Sequence, residues 1–424
     1  MVLNQEKYIV RKMNNISKLN ENFMIIKTRK YKDINLYLRF SIRYSLKKKA
    51  SLIVLSKLFG ETSNKYPSKS LMSNARDNLY GINVCAICKS RNDVLSFNVQ
   101  YGFINPKFLD IKFDEYLAYI KETLFNTIID KQTVKEAKNT VVSSLLRRLD
   151  KPAVSAREEV IDIVSKDYKT FKSYSLSKDL INEIRKLNEN DIREIYNNLI
   201  AKAQLHIYVC GDVNKNIINK FNFLNLDNRQ KLYVNYPKPR FKDKKEIIVN
   251  KKVSQSNLYV VYKTPYNSKH KDFYAWAMGN IFLGVVPTSL LFEEVRERLS
   301  LCYSISAIDF KKEGLVFICT NIDGKNKKKV CDEINYQINR LINKDYDENK
   351  LEMSKILFMN IIESTYDDQV SLVDYYYENA LSNIDVDLNE YCRNISKVSA
   401  DDISRVFKNY KPYFTYMLKG NNND

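Results

Sequence analysis

Apolar and polar residues alternate through "NLYLRF" from Asn35 and again through "NLYVVY" from Asn257. Each run predicts a strand with one buried face. A helical pattern follows in both places, near 49–59 and near 271–283. A second helix then leads into a strand pair, "INVCAI" with "VLSFNVQYG" in one case and "CYSISAI" with "LVFICTNID" in the other. Helical blocks occupy 113–198 and 327–410, and a last strand closes each stretch.

The two stretches are copies of one unit. "ARDNLYGINVCAI" from Ala75 parallels "VRERLSLCYSISAI" from Val295, and "VKEAKNTVVSSLL" from Val134 faintly parallels "KLEMSKILFMNII" from Lys350. "NDIREIYNN" from Asn190 parallels "DDISRVFKN" from Asp401, and "LHIYVCGD" from Leu205 parallels "FTYMLKGN" from Phe414. Five matches in one order mark an internal duplication. The polar, proline-bearing "NLDNRQKLYVNYPKPRFKDKKE" reads as the link between them. The expected domains are 1–225, a linker at 226–245, and 246–424. The fold class is α+β: two homologous halves, each an antiparallel or mixed sheet packed with helices, closed as a clam shell.

Composition narrows the function. No apolar run approaches the ~20 residues of a membrane span. The start, "MVLNQEKYIVRKMNN", lacks the apolar block of a signal peptide. Seven cysteines at irregular spacing suit a reducing compartment, so a cytoplasmic location is expected. The net charge is +19, but the lysines are scattered beside Asn and Ile, as an AT-rich genome would produce. Nucleic acid and an acidic peptide are the other readings of that charge. "RNDVLSF" and "SKDYKTFKSYSLSKD" mix bases with aromatics, yet no RNA-binding motif accompanies them, and nucleic acid is not expected as a partner. Cys85 and Cys88 form a lone C-x-x-C on a predicted strand, where they point to opposite faces, so they read as structural.

The duplicated halves, with "FLGVVPTSLLFEEVRERLSLCYSISAIDFKKEGLVFICTNID" in the second, resemble the insulinase-like (pitrilysin) zinc peptidases, in particular their small bacterial subunits related to processing peptidases. In the first half, "LFGETSNKYPSKSLMSNARDNLYG" is similar to members without the zinc box. The resemblance spans nearly the whole chain. The family's box is H-x-x-E-H, two zinc ligands and a general base, with a third ligand on a later helix. With Thr62 matched to the threonine that follows the box, the ligand positions fall on Leu52 and Ser56 and the base position on Leu55. Glu136 matches the first of the family's paired glutamates, which places the third ligand at Ser143. Leu, Leu, Ser and Ser hold no catalytic metal. The two histidines, His206 in an apolar strand and His270 in a charged loop, suggest no substitute site. The resemblance therefore implies no cofactor in this chain and zinc in a homologous partner subunit.

What it implies for this chain's own chemistry lies in the second half. Arg296 and Tyr303 match the family's Arg and Tyr, which contact the scissile carbonyl region of the substrate. The 3.6-residue pattern makes Leu291, Val295 and Leu299 the core row of the helix, with Arg296 at its edge and Arg298 exposed beside Glu294. Tyr303, Ile305 and Ala307 share one face of the following strand. In the first half Arg76 aligns with Arg296, but Asn83 stands in the place of Tyr303. "LGVVPTSLL" lacks the fuller glycine run of active relatives, and Leu290 replaces a frequent Arg.

Two functions stay open at this level. One is the non-catalytic subunit of a heterodimeric zinc peptidase acting on short or unfolded peptides, a ribosomal peptide precursor among them. The other is an inert scaffold or peptide-binding protein of the same fold.

Overall fold

The computed structural model describes residues 15–224, 227–238, 246–253 and 255–420. The N-terminal stretch 1–14 lies outside the described residues, as do 225–226 and 239–245, so that of the expected linker 226–245 the part 227–238 is described.

The first half carries strands β1 (Asn15–Asn20), β2 (Phe23–Lys27), β3 (Asp33–Arg43), β4 (Asn83–Arg91), β5 (Val94–Ile104) and β6 (Gln204–Gly211). Its helices are α1 (Leu46–Leu58), α2 (Lys69–Asn78), α3 (Phe113–Phe125), α4 (Lys131–Leu149), α5 (Pro152–Ser165), α6 (Lys178–Lys186), α7 (Glu189–Ala201) and the short α8 (Lys215–Asn219). The second half carries β7 (Ile247–Lys251), β8 (Ser256–Lys263), β9 (Cys302–Phe310), β10 (Leu315–Ile322) and β11 (Lys411–Gly420). Its helices are α9 (Phe273–Gly284), α10 (Lys327–Asn343), α11 (Glu348–Asp367), α12 (Gln369–Ser382), α13 (Leu388–Ser396) and α14 (Ala400–Phe407).

Among the described residues the strands form two sheets, ordered β1-β2-β6-β3-β5-β4 and β7-β11-β8-β10-β9. Apart from β1, the two orders are the same. In each sheet one short strand runs parallel to its neighbour, β2 to β6 and β7 to β11, and the other pairs are antiparallel. The duplication read from sequence is therefore a duplication of topology. The short strands β1, β2 and β7 were not part of that reading.

Local chemistry repeats as well. Asn188 caps α7 and Asp191 reaches back to the Asn188 N–H at 2.9 Å. Ser399 caps α14 and Asp402 reaches back to the Ser399 N–H at 3.1 Å. Both are capping boxes, each placed at the entry to the last helix before the closing strand.

Each sheet packs its own helices on one face and receives a helix of the other half on the opposite face. Ile34, Leu36, Leu38, Phe40 and Ile42 of β3 point into the core with α1 residues Leu52 and Leu55. Tyr37, Arg39 and Ser41 alternate with them and are also buried. There Tyr37 shares a cluster with Leu372, Val373 and Tyr377 of α12. Conversely Ala156, Val160, Ile161 and Val164 of α5 pack on Val261, Phe317, Tyr416 and Leu418 of the second sheet. The middle of the expected polar linker joins this seam: Leu232 and Val234 are buried, and the Val234 N–H donates to the Leu381 carbonyl at 2.9 Å.

Charge is buried with the apolar surface. Asp374 of α12 lies 3.3 Å from Arg39, 2.7 Å from Lys89 and 3.3 Å from Arg91. Glu378, one turn on, pairs with Arg91 and lies 2.6 Å from Lys312. Half-buried carboxylates of this kind are costly unless paired, and here every pair but Glu378–Lys312 joins the halves. No helix among the described residues is long and apolar enough to cross a membrane.

Candidate functional site

The segment after α9 is set by close packing. A Cβ on Gly284 would lie 2.9 Å from the Ala307 backbone nitrogen, so only glycine lets α9 end against β9. The chain then turns and enters a π-helical segment, Phe292–Arg298. Its signature is the Leu299 N–H donating to the Glu294 carbonyl, five residues back, at 2.9 Å. This corrects the α-helical reading. Leu291 and Val295 are fully buried as expected, but the wider turn carries Leu299 off the core row to a half-buried position.

The strand that follows is also irregular. In the pairing of β9 with β10, Thr320 faces Ile305 but Ile322 faces Cys302, so β9 holds one extra residue between them. A bulge re-aims the side chains on one side of it. Ile305 and Ala307 stay buried, whereas Tyr303 is 82% exposed. The expectation that Tyr303 shares their face is corrected by this bulge.

Together the π-turn and the bulge bring Arg296 and Tyr303 together. The Arg296 guanidinium lies 5.7 Å from the Tyr303 ring centroid and 4.2 Å from that of Phe292. Such stacking orients a guanidinium while leaving its N–H edge free. The carboxylates around it are engaged elsewhere. Glu293 pairs with Lys350 at 2.5 Å, and Glu294 pairs with Arg298 and lies 3.7 Å from Arg340. Arg296 itself has no ion pair or hydrogen bond among the described residues. Phe292 was not singled out in the sequence, although an aromatic four residues before a helical cation is a readable signal.

The first half shows the opposite arrangement. Arg76 donates to the Tyr119 hydroxyl at 3.0 Å and to the Gly60 carbonyl, so its guanidinium is spent on packing. Asn83, at the start of β4, is exposed and offers no phenol.

At the positions matched to the zinc box, the structure places hydrocarbon. Leu52 and Leu55 of α1 are 0% exposed, in one core with Val141 and Leu145 of α4. The Ser56 hydroxyl donates to the Ile53 carbonyl at 2.7 Å, and Ser143 lies exposed on α4. Glu136 is exposed, accepting from Gln132 at 2.7 Å and lying 3.9 Å from Lys69. No group of three His, Cys, Asp or Glu side chains able to hold a metal ion occurs among the described residues. A zinc ion does not fit this donor set.

The histidines are placed elsewhere. His206 of β6 is buried edge-on against Tyr377, ring centroids 5.5 Å apart, and burial pushes it down to about 4. His270 accepts the Asp272 N–H at 3.1 Å. Cys85 is exposed, and burial pushes Cys88, on the other face of β4, up to about 12.

Residues 186–358 match the family described as the Peptidase M16 inactive domain. The chain is 24% identical over 411 residues to "Probable inactive metalloprotease YmfF" of Bacillus subtilis (strain 168), covering 93% of this chain and 95% of that protein. Among solved structures it is similar to a conserved protein from Enterococcus faecalis V583, with a TM-score of 0.85 and 22% identity over 97% of this chain and all of that one. A peptidase M16 inactive domain from Pseudomonas fluorescens superposes with a TM-score of 0.76 at 12% identity, over 96% of this chain and 98% of the other.

Proposed function

We propose that this chain, which belongs to the insulinase-like (M16) peptidase-like proteins of inactive type, is the non-catalytic subunit of a two-chain zinc peptidase. The observation that carries the reading is the contrast between the halves. Among the described residues Arg296 has no ion-pair or hydrogen-bond partner and stacks between Phe292 and Tyr303, while its repeat counterpart Arg76 is consumed by Gly60 and Tyr119. A half-buried arginine of this kind is poised for a group from another molecule.

In this reading a homologous partner supplies the metal and its activated water. Attack on a peptide carbonyl builds negative charge on the carbonyl oxygen. The Arg296 guanidinium and the Tyr303 phenol donate to that oxygen, and one well-placed donor of this kind is worth roughly 2.7–4 kcal/mol of barrier. The stack with Phe292 limits the guanidinium's freedom before substrate arrives, which lowers the entropy cost of positioning it. The substrate is a short or unfolded peptide, since a folded domain could not bring its backbone to a pair set between two protein surfaces.

Reconstitution tests this. The chain is mixed with an H-x-x-E-H-bearing homologue from the same organism, and cleavage of an unstructured peptide library is followed by mass spectrometry. Cleavage that requires both chains supports the reading. A partner fully active alone, whose rate this chain does not change, supports the inert scaffold in its place.

A further inference from the structure

The two sheets differ at one edge. In the first, β1 lies antiparallel to β2, with Ile16 opposite Ile26 and Lys18 opposite Met24. In the second, β7 holds the place of β2, each being the short strand parallel to its neighbour. Among the described residues no strand lies beyond β7. Burial records the difference. Phe23, Met24, Ile25 and Ile26 are buried beside β1, whereas Ile247 and Val249 are half-buried and Ile248 is 48% exposed. Among the described residues, the backbone of β7 bonds to β11 and, at its end, through the Lys251 carbonyl to the Val253 N–H at 2.9 Å. An edge of that kind offers unpaired N–H and C=O groups to another strand.

A cavity of about 940 Å³ runs along this strand. Alternate residues of β7, Ile247, Val249 and Lys251, line it together with α5 and with Leu46 and Leu149 of the first half. Its charge is balanced, with four carboxyl groups and four lysines among the described lining residues. Glu159 pairs with Lys251 at 2.8 Å, and Asp162 lies 3.4 Å from Lys166. The buried Glu158 lies 3.1 Å from Arg157 and accepts the Leu176 N–H at 2.6 Å. The others, Lys172, Lys178 and Asp179, are exposed. No buried charge is left over to call for an ionic ligand, while the aliphatic residues offer apolar contact along the strand.

We infer that β7 and this cavity receive an extended, uncharged strand of another polypeptide, antiparallel to β7, with alternate aliphatic side chains in the cavity. The first half supplies the template for the occupant, because the same sheet position there is filled by the antiparallel β1. That strand is held mainly through its backbone, since Ser17, Lys18, Leu19 and Asn20 stay exposed. Main-chain pairing at a sheet edge, with side-chain pockets alongside, is a general mode of peptide recognition. The inference is independent of the peptidase-subunit reading, since Tyr303 lies on β9, at the opposite edge of the sheet.

The test is hydrogen–deuterium exchange of the full chain, with a capped hexapeptide of alternating valine and threonine as probe. At saturating peptide the amides of 247–251 should exchange at least about fivefold more slowly, with β4 and β9 unchanged. The same peptide N-methylated at every residue has no backbone donor and should give no protection. Val249→Lys places an ammonium on the cavity wall and should raise the peptide concentration for half-maximal protection by about tenfold, whereas Val249→Thr should leave it within about twofold. If Val249→Lys does not fold, the N-methylated peptide decides alone. No protection of 247–251, equal protection by the N-methylated peptide, or protection at β4 or β9 in its place would each overturn the assignment. So would strong protection of 247–251 in the chain alone: if independent of chain concentration it would mean that the chain covers its own edge, and if rising with concentration that a second copy does.

Discussion

Asn92, at the tip of the β4–β5 turn, donates from its side-chain amide to the carboxyl of Glu313, at the tip of the β9–β10 turn, at 2.9 Å. The two residues are 221 positions apart and occupy equivalent places in the duplicated unit. The halves thus touch tip to tip.

That contact predicts a pH dependence. Burial pushes the Glu313 carboxyl from 4.5 up to about 7, with Lys312 and Asn92 pulling the other way. Between those values the folded chain keeps a proton that the unfolded chain releases. Stability from this group is therefore greatest at low pH and falls as pH rises from about 4.5 to about 7. Glu313→Gln keeps the acceptor for Asn92 and removes the titration. Its melting temperature should exceed wild type at pH ~8 and converge with it near pH ~5. Parallel curves at all pH values would contradict the assignment.

The Arg296 site predicts a graded mutant series in the reconstituted peptidase. Arg296→Ala should lower kcat/KM by about 10²- to 10³-fold, and Tyr303→Phe by a similar or smaller factor. Arg298→Ala removes only an exposed pair with Glu294, where an ion pair is worth little, and should leave the rate within about twofold. If Arg298→Ala alone abolishes activity, the face of the π-helical segment has been assigned wrongly.

The hydrocarbon at the zinc-box positions predicts that the box cannot be rebuilt by point substitution. Purified chain should carry no stoichiometric zinc by atomic emission. Leu55→Glu buries an unpaired carboxylate in the α1 core, and it should cost several kcal/mol in urea unfolding without conferring metal binding. One tightly held zinc per chain would refute the match of Leu52, Leu55, Ser56 and Ser143 to the family's positions.

The seam predicts strong coupling between the halves. Asp374→Ala leaves Arg39, 3% exposed, and Arg91 with one partner fewer. Such uncompensated buried charge costs about 3–5 kcal/mol. Arg39→Met in the Asp374→Ala background should recover part of that loss. A double-mutant cycle with no coupling energy would show that the two side chains do not interact in solution.

The family resemblance supplied the zinc-box positions and the candidacy of Arg296 and Tyr303; the chain's own pattern determined the duplication and the order of the main strands and helices. These are readable because side-chain periodicity and residue chemistry are local. "RFSIR" in β3 shows the limit. Its alternation marks Phe40 and Ile42 as core, and on the same grounds Arg39 and Ser41 as solvent-facing. Only the packing of α12 from the other half buries that second face, where Arg39 meets Asp374 and the Ser41 hydroxyl meets that of Tyr377 at 2.6 Å. The exposure of Tyr303 was decided in the same way. A one-residue bulge between Cys302 and Ile305 exists only as a mismatch with β10, and pairing register is a property of two strands rather than of either sequence alone.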